Sequence, residues 1–503
     1  MTKTVSEITK IKRRVYTSLA RLALKDNLVE KIEALPELLL SSNLPGYRCC
    51  EYKEQAVLRE RIKLALGFDP REHKHISLTE LAKKMDQLEE AEQVIQVLEV
   101  ACDHCPIDKY MVTDACRNCV AHSCVNACPK NAIVVVQNRA YIDQAKCIEC
   151  GKCKKVCSFE AIHENNRPCA RVCDVDAIKA DVNRQASIDY DKCIGCGSCV
   201  VSCPFGAVGD SSRIVQIVRK LKDPTKNVRA ILAPSFVGQF GAKIGPERVK
   251  AALKDIGFSH VYEAALGADM VALEEAHELV EKLEEGQSFM TSSCCPTFLN
   301  LINKHYPHLA DHASTTVSPM IALARSLKRE DPTGETVFIG PCITKKIEAK
   351  AMDSVDEVLT FEELGCILVS RGINLAEYEL EEEVSDASGD GRNFAYAGGL
   401  RGVINDTLNE LGKGDLAKTF QVDGVADCKK ALKGLETGKL DYNFMEGMGC
   451  PGGCVGGPGT MMNSKVTASL VKRFAKKSKW KLALDNVKAE QLKDDLAESI
   501  ERN

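Results

Sequence analysis

Apolar side chains recur at spacings of three and four through KIEALPELLL (31–40), EQAVLRERIKLAL (54–66) and LTELAKKMDQLEEAEQVIQVLEV (78–100). Such a stripe is the signature of an amphipathic helix, so residues 1–100 read as a helical region. From 213 to 475 the pattern changes. Short runs with strand character, VRAILAPS (228–235), ETVFIGP (335–341) and RNFAYAGG (392–399), alternate with helical stretches such as VALEEAHELVEKLEE (271–285) and VSPMIALARSLKRE (317–330). That alternation predicts a mixed α/β domain. The stretch 476–503 has the pattern of a charged helix, its charges expected on a solvated face. Only 101–212 lacks either period, and there cysteine takes over. The chain divides into four stretches, 1–100, 101–212, 213–475 and 476–503, and its class is α+β or α/β, multidomain.

Composition narrows the chemistry. Of 503 residues, 45% are hydrophobic and 27% charged, as in globular proteins. A net charge of -4, a single Trp and 5% aromatics offer neither a basic face nor stacking platforms, so no nucleic acid and no membrane is expected as partner. The N-terminal MTKTVSEITKIKRRVY has no apolar run after its basic residues, so no secretory leader is expected. Cysteine is the outlier, at 25. A disulfide scaffold favours short chains, even counts and oxidising compartments. A long chain with an odd count and metal-ligand spacings predicts thiolates held by iron in a reducing cytoplasm. Cys49 and Cys50, in GYRCCEYKE, read as free or buried thiols, with a redox or regulatory role as the alternative; Cys366 and Cys428 read as small buried apolar residues.

Two runs, Cys147-Cys150-Cys153-Cys157 and Cys193-Cys196-Cys199-Cys203, have the spacing C-x2-C-x2-C-x3-C. This is the run of bacterial ferredoxins, in which three cysteines of one motif and the fourth of its partner hold each four-iron cube. A repeat extends it: CPKNAI, CSFEAI, CDVDAI and CPFGAV follow at Cys128, Cys157, Cys173 and Cys203. Two ferredoxin-like modules in tandem are expected. In the first, Cys116, Cys119 and Cys124 join Cys157, while Cys147, Cys150 and Cys153 join Cys128. In the second, Cys193, Cys196 and Cys199 take Cys173. Cys102, Cys105, Cys169 and Cys203 remain, and by elimination make a fourth cube. Zinc also takes paired CxxC, but the close triplets and Ala-Ile tails favour iron–sulfur. A series of cubes is a wire, and a wire needs a terminus where chemistry happens.

Three motifs in the third stretch, TSSCCP (291–296), GPCITKKIE (340–348) and EGMGCPGGCVGGPG (446–459), supply candidates for it. Together they resemble the three signature motifs of the iron-only hydrogenases, in the same order, over a chain similarity running from about 101 to 470. The resemblance implies a two-lobed catalytic domain holding an H-cluster. Cys295, Cys342, Cys450 and Cys454 would hold its four-iron cube, and Cys454 would bridge to a diiron subsite carrying CO, cyanide and azadithiolate. It implies that Cys294 hands protons between that subsite and the protein, through Glu275, Ser314, Glu278 and Lys282. Lys345 would pair with a cyanide, Ala233, Pro234 and Ser235 would line the other, and Met448 would lie against the cofactor. Glu348 would anchor the turn of Lys345, and Lys346 is expected on the surface. Glycines 447, 449, 452, 453, 456 and 457 are expected to let the backbone approach the inorganic group.

Thr297-Phe298 stands where the family has Gly-Trp, Gly340 where it has Met, Met320 where Gln is common, and Gly449 for Ala. These departures resemble a divergent monomeric subgroup with an extended ferredoxin-like region. The activity implied is reversible H2 formation, with a ferredoxin or similar small carrier as electron partner and maturation enzymes as assembly partners, the chain being a monomer or homo-oligomer. Two rivals stand beside it: a hydrogen sensor of the same family, and an iron–sulfur assembly protein of the same superfamily.

Overall fold

The structure, a computed structural model, describes residues 5–41, 46–102, 105–106, 108–183, 185–496 and 500–502. Residues 1–4, 497–499 and 503 of the two terminal helical patterns lie outside the described residues. Two parallel sheets build the α/β domain. The first has the order His260–Glu263, Val228–Leu232, Glu335–Gly340, Glu357–Thr360. Its inner strands are near-continuous apolar runs, as parallel strands covered on both faces must be. The second sheet has the order Met290–Thr291, Phe444–Met448, Thr419–Asp423. The helix Ala264–Glu284 packs against Pro319–Glu330 on one side and Gly399–Glu410 on another.

RNFAYAGG is not a strand. Arg392 and Asn393 end a short helix, Gly389–Asn393, and Gly399 begins the next. Ser388 caps the first by accepting from the Gly391 N–H. The buried Arg392 lies 3.7 Å over the Phe474 ring and donates to both oxygens of Glu263 at 2.8 and 2.7 Å. A fixed ion pair, rather than alternation, sets this segment.

The N-terminal helices are less extensive than their pattern. Glu7–Leu24, Leu35–Ser41, Glu51–Ala65 and Leu78–Lys83 are helical, but Ile95–Val97 is a strand paired antiparallel with Val208–Asp210. Tertiary pairing overrides the periodic pattern there, burying Ile95, Gln96 and Val97 in succession. Val15, Leu19, Leu58 and Ile62 share one apolar core with Ile217, Ile231 and Leu364 of the α/β domain. Above it lies an ionic junction. Asp210 accepts from Lys12 at 3.1 Å and Lys346 at 2.8 Å, and Lys346 reaches Glu363 at 3.0 Å. Burial would raise the Asp210 pKa, yet the two ammoniums hold it well below the usual carboxylate range. Lys346 is therefore buried, contrary to the sequence expectation, because it joins three segments.

The cysteine-rich stretch forms two ferredoxin-like modules, and the first is nested in the second. Tyr110–Val112 pairs with Ile162–Glu164 around the hairpin Ile133–Val136/Arg139–Ile142. Outside them, Ile95–Val97 pairs with Val208–Asp210, and Ile178–Ala180 with Ala186–Ile188. Nesting explains how Cys102 and Cys105 reach Cys203: they follow one strand of the outer pair, and Cys203 precedes the other. The Cys-x3-Ala repeat has a local cause too. The N–H of Ala132, Ala161, Ala177 and Ala207 donates to the sulfur four residues earlier, at 3.2–3.3 Å. The residue before each alanine turns the chain with positive φ: Asn131 47°, Glu160 50°, Asp176 51°, Gly206 57°. No helix among the described residues is long and apolar enough to cross a membrane.

Candidate active site

Among the described residues no three His, Cys, Asp or Glu side chains converge on a single metal ion. The thiols gather instead in wider sets of four. Cys116, Cys119, Cys124 and Cys157 line a cavity of about 30 Å³. Cys153 lies within the field of Cys147 and Cys150, and Cys128 and Cys147 pack against one small core. Cys193 and Cys196 each feel Cys173, as does Cys199. The set left by elimination also assembles: burial, then Cys203, Cys102 and Cys105, push the Cys169 thiol up to about 11. Thiolates crowded in this way are unfavourable unless a cationic metal offsets them.

The α/β domain has a cavity of about 80 Å³ where its two sheets meet, at the carboxyl ends of their strands. Open α/β sheets bind ligands at this end. Ala233 and Pro234 follow Val228–Leu232, and Cys342 and Lys345 follow Glu335–Gly340. Cys294 and Cys295 follow Met290–Thr291, and Met448, Cys450 and Cys454 end or follow Phe444–Met448. All nine line the cavity, with Met320 and Phe338. Burial, then Cys295, raises Cys342 to about 11; burial, then Cys295 and Cys342, raises Cys454 to about 12. Ser235 is fully buried, and its hydroxyl has no partner among the described residues. Lys345 donates to Glu348 at 2.6 Å, so Glu348 anchors it. Nearby, Thr297 bonds Thr344 at 2.6 Å, and Thr344 donates to the Gly195 carbonyl at 2.9 Å, between Cys193 and Cys196. This cavity and that thiol set are neighbours.

Three of the motif glycines are also hemmed in by protein atoms. A Cβ on Gly449 would overlap the Thr297 side chain, one on Gly447 would overlap Phe298, and one on Gly453, at φ 85°, would lie 2.5 Å from the Ala397 nitrogen. At these three positions protein atoms alone already forbid a side chain. Gly449→Ala is expected to cost roughly 1–3 kcal/mol by overpacking, as read from denaturant midpoints. The Gly340 departure has a similar cause, since a Cβ there would meet Phe338 at 2.5 Å.

Glu275, Glu278 and Lys282 share one face of Ala264–Glu284. Lys282 pairs with Glu278 at 2.9 Å, and Ser314 donates to Glu278 at 2.6 Å. From Ser314 the hydrogen bonds continue to the Thr316 hydroxyl (2.9 Å) and then to Ser293 (3.1 Å), neither of which the sequence singled out. Glu275 accepts from the Ser293 N–H at 3.3 Å, and its second oxygen has no partner among the described residues. No bond joins it directly to Ser314 or Cys294 among the described residues. Burial, then the Glu278 charge, pushes Glu275 well above the usual carboxyl range, and burial, then Glu275, pushes the Cys294 thiol up. The thiol is therefore protonated at neutral pH, and the carboxyl is displaced toward its neutral form. A further buried carboxyl, Glu446, is raised to about 7 by burial and caps the N-terminus of helix Gly399–Glu410 by accepting from the N–H groups of Gly398 and Arg401.

Residues 226–458 match the family model described as iron only hydrogenase large subunit, C-terminal domain, and 140–163 and 186–208 match a 4Fe-4S binding domain. The chain is 29% identical over 374 residues to the periplasmic iron hydrogenase large subunit of Nitratidesulfovibrio vulgaris, covering 63% of this chain and 85% of that one. It is 27% identical over 300 residues to iron hydrogenase 1 of Clostridium pasteurianum, covering 49% of this chain and 52% of the relative. Cytosolic iron-sulfur assembly component 3 of Bos taurus is 24% identical over 288 residues, 46% of this chain and 60% of its own. The chain thus spans only about half the length of some relatives. Among solved structures, a variant of an FeFe-hydrogenase from Chlamydomonas reinhardtii aligns with a TM-score of 0.49 at 23% identity, over 56% of this chain and 93% of that one.

Proposed function

Because the chain belongs to the iron-only hydrogenase family, as a divergent iron–sulfur member, we propose that it catalyses the reversible reduction of two protons by two electrons to H2. The observation that carries this reading is the convergence of Cys295, Cys342, Cys450 and Cys454 on one cavity, with Cys294 and Lys345 at its wall. The site fits an H-cluster. Its donors are soft thiols, and the Lys345 ammonium at the wall has donors to spare. Cys295, Cys342, Cys450 and Cys454 would hold its cube; Ala233, Pro234, Ser235, Lys345 and Met448 would surround its diiron part. When bound, it supplies the place where electrons and protons combine.

The chain's own groups would do the rest. The sixteen upstream cysteines would hold four accessory 4Fe-4S clusters, with the Cys173/Cys193/Cys196/Cys199 set closest to the cavity through Thr344 and Gly195. Protons would move from Lys282 to Glu278 and the Ser314 hydroxyl, then by Thr316 and Ser293 toward Glu275 and the Cys294 thiol. A carboxyl displaced toward its neutral form and a neutral thiol can both donate, which relay groups need. The electron partner would be a ferredoxin or similar small carrier, the compartment a reducing cytoplasm. Anaerobic maturation followed by infrared spectroscopy and an H2-evolution assay tests this. Carbonyl and cyanide bands with turnover are expected; bands with almost no turnover would make the chain a sensor. The similarity to the Bos taurus assembly component favours a second reading, an assembly role without the diiron group, and absent bands would select it.

A further inference from the structure

The Ile500–Arg502 segment lies against the relay. It runs antiparallel to Thr315–Val317: the Val317 N–H donates to the Ile500 carbonyl at 2.7 Å, and the Arg502 N–H to that of Thr315 at 2.8 Å. Arg325 also donates to the Glu501 carbonyl at 2.8 Å, and the Ile500 side chain is buried. This backbone pairing delivers the Arg502 guanidinium to three acceptors. Its Nε–H donates to the Thr316 carbonyl at 3.1 Å, and its terminal nitrogen to the Ser293 carbonyl at 3.0 Å and to Glu348 Oε1 at 3.3 Å. The other Glu348 oxygen accepts from Lys345 at 2.6 Å and from Ser318 at 3.0 Å.

We propose that Arg502 is a positioning residue of the catalytic cavity, sharing Glu348 with Lys345 and pinning the carbonyls of Ser293 and Thr316 beside Cys294. This rests on the hydrogenase reading above. Lys345 and Glu348 alone are a neutral pair; with Arg502 the cluster carries one net positive charge. The three side chains are 11%, 4% and 18% exposed, so water screens that charge weakly at a wall suited to anionic ligands. Three acceptors from separate segments, met by one planar fork, suit arginine and not lysine. Arg502 lies outside the matched segment 226–458. The sequence placed it in a solvated tail, so the structure corrects that expectation.

Two measurements test it. In protein purified with its accessory clusters but not matured, Arg502→Ala and Glu348→Gln should each lower the unfolding midpoint, and the double variant should fall by clearly less than their sum. Strict additivity would overturn the shared contact. In matured protein, Arg502→Ala should lose H2 evolution roughly 10- to 100-fold, as losses of outer partners of metal sites do, and shift the cyanide bands. Accessory-cluster paramagnetic signals should stay unchanged. Millimolar methylguanidinium should restore part of the rate where methylammonium does not, and Arg502→Lys should recover little. Full activity with unmoved bands would overturn the proposal. A wild-type protein without bands would sink the hydrogenase reading instead, and the unfolding cycle would then decide the Arg502 contact alone.

Discussion

Cys294→Ala is expected to leave the carbonyl and cyanide bands of the matured protein in place while cutting H2 evolution roughly a hundred- to ten-thousand-fold, the range for loss of a positioned proton-transfer group. The thiol lines the cavity beside Cys295, and burial keeps it protonated well above neutral pH. In the proposed mechanism it would carry protons rather than act as a fifth anionic ligand. Its neighbour in the field is Glu275, itself displaced toward its neutral form by burial, so removing the thiol takes away the group next to that carboxyl. Bands retained with an unchanged rate would remove Cys294 from the proton path. Bands lost would give it a structural role instead.

Asp210→Asn should destabilise the protein by about 3 kcal/mol at neutral pH, the low end for breaking a buried ion pair. The low end applies because Lys346 keeps Glu363 at 3.0 Å and Lys12 keeps Glu362 at 3.2 Å. The pH dependence follows from a carboxyl whose folded pKa lies below its unfolded value. Its contribution is complete above the unfolded value of about 4 and fades as pH falls from there through the lowered folded one. The stability gap between wild type and variant should therefore be full at pH 7 and narrow below about pH 4. Anaerobic denaturant titrations at several pH values read it directly, and a gap that widens on acidification would refute the assignment.

Much of the site was legible because its chemistry is written in cysteine spacing. The close triplets and the Ala-Ile tails mark turns whose geometry is local, as the alanine N–H bonds to sulfur show. The spacing also suggests which cysteines share a cube, but not the nesting that brings Cys102 near Cys203. It depends on a three-residue strand hidden at the end of a helical pattern. The face shared by Glu275, Glu278 and Lys282 was visible from helical period alone. Thr316 and Ser293 were not, because their bonds cross between segments. Lys346 and Arg502 are the clearest misreadings. Charged residues in charged surroundings read as solvated, and only tertiary placement shows which of them face inward.

The core shared by Val15, Leu19, Leu58 and Ile62 with Ile217, Ile231 and Leu364 has a consequence for anyone wishing to simplify the molecule. A fragment trimmed to the motif-bearing half would leave a greasy seam open to water. Such a fragment should clump unless that seam is rewritten with polar side chains.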